Sequence, residues 1–234
     1  MKARKVRKLD PRGTLAENAA RIVAVRLDEL RSFVPEALDE DRTVEQHDLR
    51  IAAKRLRYIL ETTEFCFGRA GTTARRRAKE LQEILGELHD CDEMLPRVER
   101  HLIELRHADA GAVLARAGDA DDLDPALAAR APHRTVYRGL EVLAVYLKAR
   151  RRLLFERFRD FWSEQERAGA WDRLESAAQR TLEDARARRE ARERAAKAAE
   201  ELAEAEREER EAAARARRAA EELRVARHQA AGSD

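Results

Sequence analysis

Residues 47–60 read HDLRIAAKRLRYIL. Wound at 100° per residue, Leu49, Ala52, Ala53, Leu56, Ile59 and Leu60 fall on one side. His47, Arg50, Lys54 and Arg57 line a separate face within about one fifth of a turn, with Arg55 and Tyr58 flanking it on its other side. The stretch is therefore an amphipathic helix with an apolar stripe to bury and a cationic row left over. Like charges three and four residues apart repel by roughly 0.2–0.5 kcal/mol per pair. A solvated helix face usually alternates sign, and this one does not until Glu61. A solvent-facing basic helix with no ligand would share the pattern, so the pattern alone leaves both readings open. In the anion reading, guanidinium forks grip two phosphate oxygens at once, an ammonium acts as a point charge and a protonated imidazole adds a donor. A row running over several turns suits a chain-like polyanion better than a single phosphate.

Working outward, the helix is expected over residues 41–67, closed by Gly68 and Gly71. Before it lies MKARKVRKLDPRG, residues 1–13, expected as a disordered basic arm that Pro11 and Gly13 end. Thr14 with Glu17 makes a capping box for a first helix that Val34-Pro35 should end at about Phe33. A third helix is expected over residues 72–107, with Gly86 implying close packing against a neighbour and Pro96 a kink. Residues 108–132 break the pattern. The run GDADDLDP is acidic, but Leu123 interrupts the spacing of a calcium loop and no Gly follows, so it reads as a loop with Asp124 near a helix start. Residues 133–166 make a fourth helix. Leu140, Leu143, Leu147, Leu154, Phe158 and Phe161 share its buried face, and Trp162 extends it; Trp162 and Trp171 are expected to pack the bundle end. Four amphipathic helices with short links imply an all-α, antiparallel four-helix bundle over residues 14–170.

From about residue 176 to Arg227 the chain is Ala, Glu and Arg with hardly any large apolar residue and no sustained heptad seam. Residues 171–234 are expected as a long charged helix or weak coiled coil with a disordered end, supported by pairs such as Glu206 with Arg210. Across the chain, 40% of residues are charged, 5% are aromatic, and Gly (9) and Pro (5) are scarce, which fits an almost wholly helical protein. The net charge is only +2, so bulk charge is no argument for nucleic acid. Cys66 and Cys91 form no Cys-x-x-Cys motif and are expected as plain reduced thiols. No apolar run follows the basic residues Met1 to Arg12, and no stretch approaches the ~20 apolar residues of a membrane span. The expected compartment is the cytoplasm.

The string His47-x-x-Arg50-x-x-x-Lys54-Arg55-x-Arg57-Tyr58 resembles the signature of the CHAD domain, the conserved histidine α-helical domain. The run Leu81-Gln82-Glu83-Ile84-Leu85-Gly86-Glu87-Leu88-His89-Asp90-Cys91-Asp92 is similar to the same family's third-helix motif. The pair, in this order and spacing, is specific, and the resemblance covers roughly residues 14–166. It implies a helical fold that binds inorganic polyphosphate in a basic groove and associates with polyphosphate granules. Carried over by position, it implies polyphosphate-binding roles for His47, Arg50, Lys54, Arg55, Arg57 and Tyr58. Lys79 matches a commonly basic position of the third helix. Arg26 and Arg152 are added by helical position alone. A full domain of this family resembles two four-helix halves. Only one good copy of the motif is present here, since HRTVYRGLEVL from His133 is no convincing second. The resemblance therefore implies a half-length version, and a homodimer would rebuild a two-sided cavity by symmetry.

Other classes fit less well. His47-Asp48 and His89-Asp90 suggest a metal-dependent phosphohydrolase of the HD class, but a row of cations disfavours a divalent ion. No Walker A loop and no Glu-x-Glu-x-Lys strand is present, so an enzyme, a cofactor or a bound metal is not expected. His101 and His107 read as surface residues. Lys2, Arg4, Lys5, Arg7 and Lys8 would suit a nucleic-acid backbone, but aromatic residues for base stacking are few near the basic face, so nucleic acid is a possible partner and not the favoured one. A third class is an interaction protein whose tail recruits partners.

Overall fold

The computed structural model describes residues 2–122 and 124–231. Met1, Leu123 and residues 232–234, on which the ends of the arm and tail and the calcium-loop spacing partly rest, lie outside the described residues. Among the described residues the chain is all helical, with α1 at Leu15–Ala37, α2 at Thr43–Thr63, a 3-10 turn at Glu64–Phe67 and α3 at Gly68–Ala117. Next come α4 at Pro125–Ala129, α5 at Arg134–Arg167 and α6 at Ala170–Ala231. The chain divides into two compact units, residues 1–182 and residues 183–234.

In the first unit Thr14 caps α1, its Oγ1 accepting the Glu17 backbone N–H at 3.2 Å, while the Glu17 carboxylate pairs with Arg21 at 2.6 Å. Helix α1 nevertheless runs through Pro35 to Ala37, beyond the expected end. A proline in the last turn removes only one backbone donor, and the Leu38 N–H still closes the turn on the Val34 carbonyl at 3.0 Å. Helix α2 ends four residues before Phe67, and Gly68, at φ +54°, turns the corner into α3. Gly71 does not close α2. It lies one turn inside α3, where a Cβ would stand 2.4 Å from the Glu64 carbonyl oxygen, so only glycine lets the 3-10 turn and α3 approach. Helix α3 continues ten residues past the expected end at 107, through an Ala-rich run whose alanines outweigh the single Gly111, to Gly118 at φ +56°. Asp124 does start a helix, its Oδ1 accepting the Ala126 N–H at 2.8 Å.

Helix α2 packs on α1 and α3, and α3 packs on α5. The predicted stripe of α2 is the core: Leu49, Ala52, Ala53, Leu56 and Leu60 have no exposed surface, and Ile59 is partly buried. They meet Leu27 and Leu30 of α1 and Leu81, Ile84, Leu85 and Leu88 of α3. Each buried Leu or Ile side chain contributes about 1.5–3 kcal/mol. On α5, Leu147, Leu154, Phe158, Phe161 and Trp162 are buried, whereas Leu143, at the edge of the same stripe, is exposed. Trp162 stacks on Trp171 at 6.0 Å between ring centroids, which places the start of α6 within the first unit. The far end of α3 is tied to α5 by Asp109. Its buried carboxylate accepts the His133 backbone N–H at 3.1 Å, contacts the His133 ring at 2.8 Å and accepts the Tyr137 hydroxyl. Burial alone would raise its pKa, but these hydrogen bonds outweigh it and hold the carboxyl below the usual value. Burial and the carboxylate together push Tyr137 up to about 12.

In the second unit, from Glu183, the described side chains of α6 are almost all exposed, including Leu202, Leu223 and Val225. Its local support is a series of pairs one turn apart: Arg186 with Glu190 at 3.0 Å, Arg194 with Glu190 at 3.6 Å and the expected Glu206 with Arg210 at 3.5 Å. Each is worth roughly 0.2–0.5 kcal/mol.

Candidate anion-binding groove

The basic face of α2 divides into two edges. On the α3 edge, the His47 ring lies 4.5 Å from the His89 ring, centroid to centroid. At the other end the Glu64 backbone crowds Gly71. The two contacts pair rising numbers with falling ones, so α2 and α3 run antiparallel. That register sets Arg50 level with Gly86, Lys54 with Gln82 and Arg57 with Lys79. Gly86 does not pack closely as expected. Nothing stands within 4 Å of the place its Cβ would take, so this stretch of α3 leaves an opening instead of filling one.

Along this edge His47 Nδ1, Arg50 Nε, Arg57 Nε and Gln82 Oε1 are buried without a hydrogen-bond partner. Leaving a buried polar atom unpaired costs about 1–3 kcal/mol, more next to a charge. Arg57 Nε does come within 3.3 Å of Glu61, close enough for ionic attraction but not aligned as a hydrogen bond. Lys54 Nζ and the Arg57 guanidinium lie 5.7 and 4.8 Å from the centre of the Tyr58 ring, which braces both cations. Among the described residues neither Arg50 nor Lys54 has a carboxylate partner. Burial, the neighbouring His89 and the Arg50 charge all press the His47 pKa below its usual value.

The α1 edge is the reverse. Glu29 is fully buried, and its carboxylate accepts Arg55 at 2.9 Å, Arg26 from one turn earlier and the Arg4 backbone N–H at 3.1 Å. The Arg26 guanidinium also donates to the Arg4 carbonyl at 2.8 Å, while Arg4 itself reaches Asp28 and Ser32. Arg26 and Arg55, both expected at the anion site, are thus held on one shared buried carboxylate, in a cluster that fastens the N-terminal arm along α1. Asp10 and Asn18 add two further bonds, at 2.9 and 2.7 Å. Residues 2–13 form no helix, yet they are held at several points.

Lys79 is exposed, 3.7 Å from Glu83, and borders a surface cavity of about 430 Å³ shared with Arg69, Thr72, Thr73, Arg75 and Arg76. Arg75 is tied to Glu64 at 2.6 Å, but Arg69 and Arg76 have no acidic partner among the described residues. The sequence reading missed these two. Their signal was the spacing of Arg69, Thr72, Arg76 and Lys79, which repeats on one side of α3. Arg152 is exposed on α5, 3.4 Å from Glu156, and no observed contact joins it to the α2 row. Its neighbour Arg151, which the reading passed over, reaches in to Asp92 at 2.5 Å, the Glu40 carbonyl at 2.8 Å and Gln46 at 3.3 Å. Arg151 thereby ties α5 to α3 and to the entry of α2.

Among the described residues no group of three or more His, Cys, Asp or Glu side chains is placed to hold a metal ion, and no helix is long and apolar enough to cross a membrane. Residues 2–99 match the family model described as the CHAD domain. The match takes in the arm that Arg4 fastens and ends within α3. No curated protein and no solved structure matches the chain.

Proposed function

Residues 2–99 belong to the CHAD family, and on that premise we propose that the seam between α2 and α3 is a binding groove for inorganic polyphosphate. One observation carries the reading. His47, Arg50, Lys54 and Arg57 stand in a row with little acidic neutralisation, beside an opening at Gly86, and His47, Arg50 and Arg57 each bury a nitrogen without a hydrogen-bond partner. A chain of phosphates laid along the row would supply acceptors at the spacing of helical turns. In this reading Arg50 and Arg57 grip oxygens through their terminal nitrogens, Lys54 acts as a point charge, and Lys79 extends the track on the α3 side. Helices α1, α2, α3 and α5 then serve as the four helices of a half-length CHAD bundle.

The mechanism is electrostatic capture without catalysis. Neutralising several phosphates releases condensed cations, so affinity falls steeply with salt, by analogy with DNA. Binding of this kind would hold a cytoplasmic protein on polyphosphate granules. Nucleic acid is the rival ligand, and a direct competition decides between them. Long-chain polyphosphate should displace DNA and RNA of equal charge, and preference for either nucleic acid would reject the reading.

A further inference from the structure

Helix α5 is apolar on two sides. Its inner side, with Leu147, Leu154 and Phe158, packs on α3. Both flanks are pinned to α3 by ion pairs: Lys148 to Glu99 at 2.8 Å and Arg106 to Glu141 at 2.5 Å on one, Arg150 to Glu87 on the other. The side between the flanks faces outward. It carries Val142, Val145, Tyr146, Ala149 and Leu153, at offsets 0, 3, 4, 7 and 11 along one stripe. Val142, Val145 and Leu153 are 64%, 68% and 65% exposed and Tyr146 is 54% exposed. An outward apolar stretch of this length, bounded by charged residues, marks a surface for another apolar face to cover, although Arg152 also lies beside it.

The ends of the outward stripe bear opposite charges. Arg138 lies one turn before Val142, and Glu156 and Asp160 lie one and two turns after Leu153. Arg138 and Asp160 have no ionic partner among the described residues, and Glu156 has only the solvent-exposed Arg152 at 3.4 Å. A stripe that is basic at one end, apolar in the middle and acidic at the other is complementary to itself when inverted. We propose that the outward face of α5 is a two-fold interface with a second copy of this chain. The two α5 helices cross antiparallel near Val145 and Ala149, and Arg138 of each copy meets the acidic end of the other. This inference does not rest on the polyphosphate reading, because the groove lies on α2 and α3.

Sedimentation equilibrium of the full chain over a wide concentration range tests it. The parent should be a dimer that dissociates on dilution. The double variant Val145→Glu with Leu153→Glu should be monomeric, with the same helical circular dichroism and unchanged polyphosphate binding per chain. Arg138→Glu, a surface change that touches no core residue, should weaken the dimer about tenfold, and adding Glu156→Arg should restore it. A parent that is monomeric throughout overturns the proposal. So does a double variant that stays dimeric, which would place the interface elsewhere, or a charge swap that fails to restore association. Loss of polyphosphate binding by the parent would sink the groove reading and leave the dimer standing.

Discussion

The two edges of α2 carry the same kind of residue and have opposite fates. On the α1 side, Arg55 and Arg26 share the buried carboxylate of Glu29. On the α3 side, Arg50 and Lys54 have no carboxylate among the described residues, and Arg57 has one at a poor angle. A cation that already has a buried partner is part of the scaffold, because removing it leaves that partner charged and dry. A cation without one is held in place at a cost that an incoming anion can offset. Counting basic residues on a helix therefore overestimates a binding site, and the position of a single acid on the neighbouring helix decides which of them belong to it.

The sharpest way to break this comparison is to remove the acid. Glu29→Ala should destabilise the first unit by about 3–5 kcal/mol, since Arg26 and Arg55 lose their common partner in a largely buried site. Denaturant unfolding measures it, and an unchanged midpoint would mean that the α1 edge is not structural. The second test takes the other edge. Changing Arg50, Lys54 and Arg57 together to Ala should lower polyphosphate affinity by at least about a hundredfold while stability moves by less than about 1 kcal/mol, because relief of mutual repulsion offsets the lost contacts with Tyr58 and Glu61. Binding equal to the parent would place the groove elsewhere.

Smaller effects sharpen the contrast. Gly86→Ala should raise stability by about 0.5–1 kcal/mol, since a Cβ there meets nothing and Gly is a poor helix former. A thermal scan checks it, and a loss of stability would show a hidden close contact. The pH dependence has a defined sign. The His47 pKa is pressed down in the free protein, so a bound polyanion would raise it and binding would take up a proton. Affinity should then strengthen a few-fold as pH falls from neutral toward the imidazole range, and His47→Gln should flatten the profile. The same displacement opposes folding in acid, because the unfolded imidazole protonates first. At the far end of α3, the lowered Asp109 pKa stabilises the fold above the ordinary carboxyl range, and that contribution is lost as pH falls through its folded value. Asp109→Asn should loosen the start of α5 and speed amide exchange there before any change on α2.

How much of this was legible follows from the range of each interaction. The buried stripe of α2 was readable because helical period and core burial are both local patterns, and every position placed in it is buried or partly buried. The helix ends were less so. Pro35 in a final turn loses one donor and not a helix, and the run after residue 107 continues α3 because its alanines outweigh the single Gly111. Gly86 was misread because a glycine inside a helix looks the same whether it meets a neighbour or leaves a gap, whereas Gly71 had the tight contact.

Residue order along the chain sets the helices, the face each buries, the row of cations on α2 and the charged character of the tail, all within the reach of neighbouring turns. Packing between helices sets which cations remain available. Glu29 and Arg55 are 26 residues apart, and no local pattern in the chain links that acid to one edge of α2 and not the other. Packing α2 between α1 and α3 brings the carboxylate to Arg55 and leaves Arg50 and Lys54 on the α3 edge without one, because electrostatic pairing follows distance through space and not along the chain.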